Sequence, residues 1–284
     1  MVNAQTFFPC LIGVRQGVNL SPLLFALFLN DFENFLHDHG FSGPSDLHMN
    51  SKCQFLDDLE IYLKLAILLY ADDMIILADS AESLQKALDI LNDYCIEWRL
   101  KVNIQKTKAM VFSRGRIRVN IPVFTYAGGE IELVLHFTYL GVTFSYNGSF
   151  LKAIKERYDK GLKAMFSVLR VCRKLSLTVE LSLDIFDKVV KPVLLYGSEV
   201  WGYEDTKLLD RVQVKFCKYL LRIPNRTPNV MVMGELGRYS LQIDVALRML
   251  SFWNRVRRGK IEKWSYIFYN ITKEHLDKGY TRLV

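Results

Sequence analysis

The pattern of hydrophobic and polar positions along the chain changes character near residues 146–149, where Asn147-Gly148 marks a turn. Before this point, short apolar runs of strand length alternate with amphipathic helical stretches, and after it the apolar residues recur at helical spacing. Two short runs, residues 65–69 and 74–77, predict buried strands joined by a tight hairpin. The fold class we predict is α+β, with this hairpin in an antiparallel sheet, followed by an α-helical C-terminal half.

Two helices are predicted to back the sheet of the N-terminal half. Ser21 is a good N-cap and Pro22 a good first residue, so one helix is expected over residues 22–36, ending near Gly40. The second begins at residue 80, with Asp79 as N-cap and Glu82 three residues later completing a capping box.

The remaining pattern predicts a small sheet and then a series of helices. Residues 114–135 indicate an antiparallel element that turns at Gly128-Gly129, and residues 137–144 have strong strand character. Helices are expected over residues 150–175, from Thr178 toward Tyr196 with a kink at Pro192, over 205–221, from Pro228, and over 240–258.

The charge is distributed unevenly along a composition that is otherwise ordinary for a globular protein. Residues 1–100 hold 5 Lys or Arg against 14 Asp or Glu, which leaves 32 against 16 of the totals of 37 and 30 for the rest. A basic part joined to an acidic part suggests a polyanion that is held by one and processed by the other. Solvated surface charge is the alternative explanation.

The sequence shows neither a secretory signal nor a membrane span. Its longest apolar run, residues 20–29, is about half the length that crosses a bilayer. The five cysteines are widely spaced, which favours buried reduced thiols. We therefore expect an intracellular protein, nuclear or cytoplasmic, that is not secreted and does not enter a membrane.

Asp72 and Asp73 lie between the two strands of the predicted hairpin. Adjacent carboxylates next to buried strands concentrate negative charge, which a divalent cation would offset. Mg²⁺ prefers carboxylate oxygens together with substrate phosphates, and pairs of such ions promote phosphoryl transfer. The alternative is that both aspartates are ordinary turn residues.

Several motifs in order along the chain resemble one enzyme family. Arg15-Gln16-Gly17 is followed after three residues by Ser21-Pro22, an apolar helix and, about fifty residues later, Tyr70-Ala71-Asp72-Asp73. This order resembles the reverse transcriptases of LINE-type (non-LTR) retrotransposons. The resemblance implies RNA-templated DNA synthesis by two-metal nucleotidyl transfer, with Asp72 and Asp73 as catalytic ligands of Mg²⁺ or Mn²⁺. It also implies a partial polymerase palm in residues 1–146 and a helical thumb and C-terminal region in 147–284.

The same resemblance assigns roles to other residues. Arg15, Gln16 and Gly17 would line the pocket for the incoming nucleotide and template base, although Val18 stands where many relatives have a polar or acidic residue. Lys106 would lie near the nucleotide phosphates. The primer grip would comprise Tyr139, Leu140 and Gly141. A plain strand-to-helix connection, a solvent-facing lysine and ordinary sheet packing are the respective alternatives.

The resemblance also implies the partners: an RNA template, a DNA primer, their RNA–DNA hybrid and deoxynucleoside triphosphates. A thumb rich in cations would follow the phosphates of the hybrid by shape and charge. The cations of the first predicted C-terminal helix are Lys152, Lys155, Arg157, Lys160, Lys163, Arg170, Arg173 and Lys174.

One feature of the family has no counterpart in the sequence. The third catalytic carboxylate lies upstream of the Arg-Gln-Gly loop, and residues 1–14 contain no Asp or Glu. The family's fingers are missing too, so we expect the isolated chain to be inactive as a polymerase. Three interpretations remain: a fragment of a longer reverse transcriptase, a non-catalytic nucleic-acid-binding remnant, and an unrelated protein with a fortuitous Asp-Asp hairpin.

Overall fold

The computed structural model describes residues 20–41, 67–70, 73–113 and 122–259, together with residues 266, 269, 270 and 273. The described residues fall into two compact units. The first comprises those up to residue 111 and those from 122 to 134, and the second those at 112–113 and from 135 onward. The predicted strand segment 137–144 thus groups with the C-terminal helices, while the predicted palm–thumb boundary at residue 146 remains a proposal.

The first unit combines helices with two small sheets. Its helices are α1 (Ser21–Phe28), α2 (Phe32–Asp38) and α3 (Ala81–Glu97). Its strands are β1 (Ile67–Tyr70), β2 (Asp73–Ile76), β3 (Lys108–Ala109), β4 (Phe124–Tyr126) and β5 (Gly129–Leu133). Strands β1 and β2 pair with each other, and the other sheet has the order β3-β5-β4.

Both predicted hairpins of the first unit are confirmed. Strands β1 and β2 are antiparallel, in a register that pairs Tyr70 with Asp73. Strands β4 and β5 are also antiparallel, and Tyr126 pairs with Gly129. Their turn therefore comprises Ala127 and Gly128, one residue earlier than predicted, and both have the positive φ of the favoured two-residue hairpin turns.

The single helix predicted over residues 22–36 is wrong, because the chain breaks it into α1 and α2. The interruption contains Asn30 and Asp31, whose short polar side chains compete with helical hydrogen bonding. The carboxylate of Asp31 accepts a hydrogen bond of 2.7 Å from the Tyr94 hydroxyl on α3. Burial and this hydrogen bond raise the pKa of Tyr94.

The cap predicted for α3 is shifted by one residue. Ser80, not Asp79, is the N-cap: its backbone is extended, and its side chain accepts a 3.0 Å hydrogen bond from the Ser83 amide. The apolar stripe of α3 then enters the core of the first unit beside Phe32 and Phe124. The described cysteine of this unit, Cys95, belongs to the same core.

The second unit begins with a hairpin and continues with helices. The hairpin consists of β6 (His136–Tyr139) and β7 (Val142–Ser145). The helical elements are α4 (Leu151–Lys174), α5 (Val179–Ile185), a π-helix (Phe186–Val190), α6 (Lys191–Leu194), α7 (Ser198–Trp201), α8 (Lys207–Leu221), α9 (Asn229–Glu235) and α10 (Leu241–Arg257). They surround one apolar core that includes Phe186, Trp201 and Phe216.

Most predictions for this half are confirmed. Thr178 caps α5 as expected, α9 and α10 begin within one residue of the predicted starts, and α4 spans nearly the predicted range. At Pro192, where a kink was predicted, the structure has a π-helix over the five residues Phe186–Val190 just before the proline. Because proline has no amide hydrogen to bond the carbonyl four residues earlier, the hydrogen-bond spacing changes there. The short α7 was not predicted.

Within the part of the chain that the structure describes, we find no helix that is both long and apolar enough to cross a membrane.

Candidate functional site

The hairpin of β1 and β2 places Asp73 at the end where the two strands are connected, paired with Tyr70. Asp73 is the first residue of β2 and its side chain is exposed, whereas the following residues of the strand are half-buried. An exposed carboxylate at this position is accessible to a hydrated cation, which is how Mg²⁺ usually meets proteins. Asp72, its predicted partner, lies outside the described residues.

The metal site predicted at this hairpin consists of Asp72 and Asp73 together. Among residues 20–41, 67–70, 73–113 and 122–259, no group of three or more His, Cys, Asp or Glu side chains is arranged to hold a metal ion. A pair of carboxylates is also what a magnesium site needs when substrate phosphates supply the other ligands. The donor chemistry at Asp73 fits the predicted ion.

Lys106 lies in a tight turn just before β3. Its amide and that of Thr107 donate hydrogen bonds of 3.1 and 3.0 Å to the Asn103 carbonyl, and the Asn103 side chain accepts a further one. The hydrogen bonds to Asn103 thus hold the turn in shape. The Lys106 side chain is exposed. Arg15, Gln16 and Gly17, the other residues predicted to contact the nucleotide, lie outside the described residues.

The predicted primer grip coincides with the tip of the β6–β7 hairpin. Tyr139 pairs with Val142, and Leu140 and Gly141 form the two-residue turn between them. Their φ angles are 46° and 78°, as a type I′ turn requires. A left-handed leucine costs about 1–2 kcal/mol, so the surrounding structure must hold this turn in place.

Two side chains bind the carbonyls of the Leu140-Gly141 turn. The Tyr196 hydroxyl donates a hydrogen bond of 2.8 Å to the Leu140 carbonyl. The guanidinium of Arg157, on α4, donates to the Gly141 carbonyl and also lies 5.0 Å from the centre of the Tyr196 ring. The tip is thereby fixed to the helical framework of its own unit.

The prediction that Arg157 is one of the cations facing phosphates is wrong. Arg157 is only 7% exposed, since it lies one helical turn after the buried Ala153 and one before the buried Gly161. Its charged group is occupied by the Gly141 carbonyl and the Tyr196 ring. Its role is to position the hairpin.

A second set of contacts fastens the body of the hairpin to α4. The Thr143 hydroxyl donates a hydrogen bond of 2.6 Å to the Glu156 carboxylate, and the hydroxyls of Thr138 and Thr143 are 2.8 Å apart. Thr143 is buried, Glu156 is half-buried and Thr138 is exposed, so the network is shielded from water at Thr143. The hydrogen bond of the buried Thr143 to Glu156 favours one orientation of the hairpin on the helix.

The outer side of α4 carries a continuous basic face. Apart from Arg157, the seven cations predicted on this helix are all exposed. They lie on the side of α4 opposite its buried residues. The acidic residues of α4 are the exposed Asp159 and the half-buried Glu156. We call Lys152, Lys155, Lys160, Lys163, Arg170, Arg173 and Lys174 the basic face of α4. At about 1.5 Å per residue, these charges extend over roughly 33 Å of the helix, from Lys152 to Lys174.

Sequence reasoning missed the residues that support the hairpin. Tyr196 is 56 positions from Leu140, and Glu156 is 13 positions from Thr143. No local pattern links such pairs, because only the folded helices bring them together. The sequence places Tyr196 only near the end of a predicted helix, so no signal linked it to the hairpin.

Comparison with known proteins connects these features to one family. The model of the family described as reverse transcriptase (RNA-dependent DNA polymerase) matches residues 1–144, just over half of the chain. This chain belongs to the reverse transcriptase family. The match includes the Asp72-Asp73 hairpin, Lys106 and the tip of the β6–β7 hairpin.

Similar reverse transcriptases come from mobile elements. The chain is 25% identical over 258 residues to the RNA-directed DNA polymerase assigned to transposon BS of Drosophila melanogaster, covering 87% of this chain and 26% of that protein. It is 25% identical over 214 residues to the RNA-directed DNA polymerase from mobile element jockey of Drosophila funebris, covering 74% and 22%. A transposon-derived protein of Caenorhabditis elegans is 25% identical over 210 residues, covering 69% and 73%.

The chain therefore spans about a quarter of the length of the two Drosophila relatives. No solved structure gave a significant match.

Proposed function

We propose that this chain is the part of a non-LTR, LINE-type reverse transcriptase that carries the Asp-Asp hairpin and the helical region after it. Residues 1–146 would form part of the palm, and residues 147–284 the thumb and C-terminal region. The observation that carries the proposal is the family match over residues 1–144 together with the exposed Asp73 at the end of a β-hairpin. The kinship with mobile-element polymerases supports the retrotransposon origin.

Asp72 and Asp73 are the catalytic residues of the proposal and would hold Mg²⁺ or Mn²⁺. The ions would supply Lewis-acid stabilisation of the oxygens that attack and leave in phosphoryl transfer. The hairpin's own contribution is to present carboxylates at a fixed register position, because the pairing of Tyr70 with Asp73 closes the two strands there. Arg15, Gln16, Gly17 and Lys106 would contact the nucleotide and template.

Tyr139, Leu140 and Gly141 are the proposed primer grip. A grip must hold the primer end without yielding, and the two carbonyl anchors from Tyr196 and Arg157 favour a rigid tip. Because Gly141 has no side chain, the ring of Tyr196 packs closely against the main chain of the tip. Leu140 is exposed and Tyr139 is half-buried, so the tip offers an apolar surface beside that main chain.

The proposed substrate of the helical unit is the RNA–DNA hybrid, bound through its phosphates by the basic face of α4. The seven exposed cations need no base-specific contact for this, because an A-form duplex is recognised mainly by shape and charge. Deoxynucleoside triphosphates, the RNA template and the DNA primer would be the partners during synthesis.

Metal binding can be tested without any polymerase activity. Mn²⁺ added to the isotope-labelled 284-residue chain should broaden the amide resonances of β1 and β2 selectively. The double variant Asp72→Asn/Asp73→Asn should lose this broadening, and Asp79→Asn, which changes a nearby aspartate outside the hairpin, should retain it. Equal broadening in all three proteins would contradict the proposed site.

Primer extension separates a fragment from a complete enzyme. We propose that the 284-residue polypeptide alone does not extend a primer, since it contains no acidic residue before Arg15 to complete the carboxylate set. Template-primer extension in Mg²⁺ should give no product beyond that of Asp72→Ala. Product above this control would show that the chain is an active polymerase. Hybrid binding without extension also fits a non-catalytic nucleic-acid-binding remnant, the alternative function, which the basic face of α4 favours.

A further inference from the structure

A groove between α4 and α8 lies on the second unit, away from the β6–β7 hairpin. Its volume is about 430 Å³, and it is lined by Phe166, Leu169, Arg170, Arg173 and Tyr219. Phe166 follows Arg157 by nine positions on α4, which is roughly 14 Å along the helix axis. The volume lies within the range of about 300–1,000 Å³ that is typical of ligand sites. We call this feature the α4–α8 groove.

Two aromatic rings of the groove are open to solvent. Phe166 is 41% exposed and Tyr219 is 39% exposed, whereas the core aromatics Phe186 and Phe216 of the same unit are fully buried. The centres of the Phe166 and Tyr219 rings are 6.0 Å apart, with an edge-to-face angle of 68°. These rings therefore offer apolar surface to a ligand in addition to contacting each other.

One cation lies near each ring. The Arg173 guanidinium lies 5.6 Å from the centre of the Tyr219 ring, and the Lys215 ammonium lies 5.0 Å from that of Phe166. Arg170 is also exposed in the groove, and none of its five lining residues is acidic. The groove thus combines exposed aromatic faces with a concentrated positive charge.

We infer that the α4–α8 groove binds unpaired nucleotides of a single-stranded nucleic acid. Bases would stack on Phe166 and Tyr219 while Arg170 and Arg173 contact the adjoining phosphates. This combination is typical of single-strand sites, where aromatic stacking accompanies a positively charged groove. The phosphates of a base-paired duplex could contact the cations, but its bases could not stack on the two rings, because they are already stacked on one another. The site therefore goes beyond hybrid binding by the basic face of α4.

The test uses the whole 284-residue chain and a fluorescein-labelled oligo(rA) strand of about ten nucleotides, a typical single-strand site length. Fluorescence anisotropy should show that Phe166→Leu and Tyr219→Leu each weaken binding about tenfold, the effect of losing one stacked base. The matched control is Phe252→Leu, which removes an exposed aromatic with an arginine over its ring, on α10 of the same unit. It should bind like the wild type.

Salt dependence distinguishes stacking from charge. The leucine variants should keep the wild-type slope of log affinity against log salt, whereas Arg173→Gln should reduce its magnitude by about 0.7, the value for one phosphate contact of a single strand. If a leucine variant fails to fold, wild-type protein with a 2-aminopurine-containing strand gives the answer, because stacking quenches 2-aminopurine emission on binding.

The inference is overturned if the leucine variants bind the strand as tightly as Phe252→Leu, or if 2-aminopurine emission does not fall on binding. Displacement of the strand by an acidic peptide, with equal affinity in wild type and leucine variants, would also overturn it and indicate a protein ligand. Binding of an RNA–DNA hybrid should be unchanged in the leucine variants. A failure here is thus distinguishable from a failure of the proposed hybrid binding.

Discussion

The hydroxyl of Tyr196 donates a hydrogen bond of 2.8 Å to the main-chain carbonyl of Leu140, 56 residues away in sequence. Leu140 has a φ of 46°, a conformation that leucine adopts only at a cost. The bond offsets part of this cost by holding the carbonyl where the turn requires it. A tyrosine of the helical region thus maintains the shape of the proposed primer grip.

Tyr196→Phe should lower the free energy of unfolding by about 1 kcal/mol, the usual net value of one hydrogen bond. It should also speed hydrogen exchange at the β6 and β7 amides, because the turn loses one anchor. Urea unfolding and hydrogen exchange measure the two effects. Tyr203→Phe, on an exposed tyrosine of the same unit, is the control and should be nearly neutral. Identical exchange in both variants would show that the bond does not hold the hairpin.

Gly141→Ala should destabilise the hairpin more than Gly148→Ala. Both glycines have a φ near 75°, so alanine meets the same backbone strain of about 1 kcal/mol at each position. A methyl group at Gly141 would in addition lie 3.2 Å from the Tyr196 ring, whereas at Gly148 it would meet open space. The ring would have to move by a few tenths of an ångström to make room for this methyl group, so we expect the larger loss of stability at Gly141. Thermal unfolding of the two variants gives the difference directly, and equal losses would contradict the close packing of Gly141 on Tyr196.

Asp187 and Arg238 form a bidentate ion pair in the helical unit, with N–O distances of 2.7 and 2.6 Å. The guanidinium of Arg238 holds the pKa of Asp187 below its ordinary value of 3.8. A carboxylate with a lowered pKa in the folded state contributes stability above its ordinary pKa. That contribution is lost as the pH falls through the folded value.

Acidification from about pH 5 to pH 3 should therefore destabilise the wild type more than Asp187→Asn, which has no such carboxylate to protonate. Asp184→Asn is the matched control, since Asp184 makes an exposed ion pair with Lys188 on the same helical segment. Urea unfolding at several pH values measures the slopes. A wild-type slope equal to that of Asp187→Asn would show that the ion pair does not contribute to the pH dependence.

Local signals predicted the helical half well because its boundaries depend on neighbouring residues. Thr178 and Ser240 cap helices with their own side chains, which a short stretch of sequence reveals. The same reasoning failed at Asn30-Asp31, where the helix stops partly because Asp31 bonds Tyr94, 63 residues later. It also placed the cap of α3 at Asp79, because serine and aspartate at adjacent positions are equally good caps by type.

The candidate site was predictable only where residues of the required chemistry lie within a local pattern that also predicts their secondary structure. An Asp-Asp pair between apolar runs indicates a hairpin, and strands β1 and β2 confirm that hairpin. Arg157 is different, because its burial and its bond to Gly141 follow from how α4 meets β7, which composition does not reveal. From sequence alone, an arginine in a basic helix is predicted to be an exposed cation, and only its contacts in the folded protein show otherwise.

The most direct measurement of the proposed function is the salt dependence of RNA–DNA hybrid binding by variants of α4. Lys152→Gln/Lys163→Gln should reduce the magnitude of the slope of log affinity against log salt by about 2, close to one unit for each lost phosphate contact with a duplex. Lys188→Gln, which removes an exposed lysine of the same unit that is already paired with Asp184, should leave the slope unchanged. Hybrid binding that does not respond to salt, or an equal change in both proteins, would contradict binding of the hybrid by the basic face of α4.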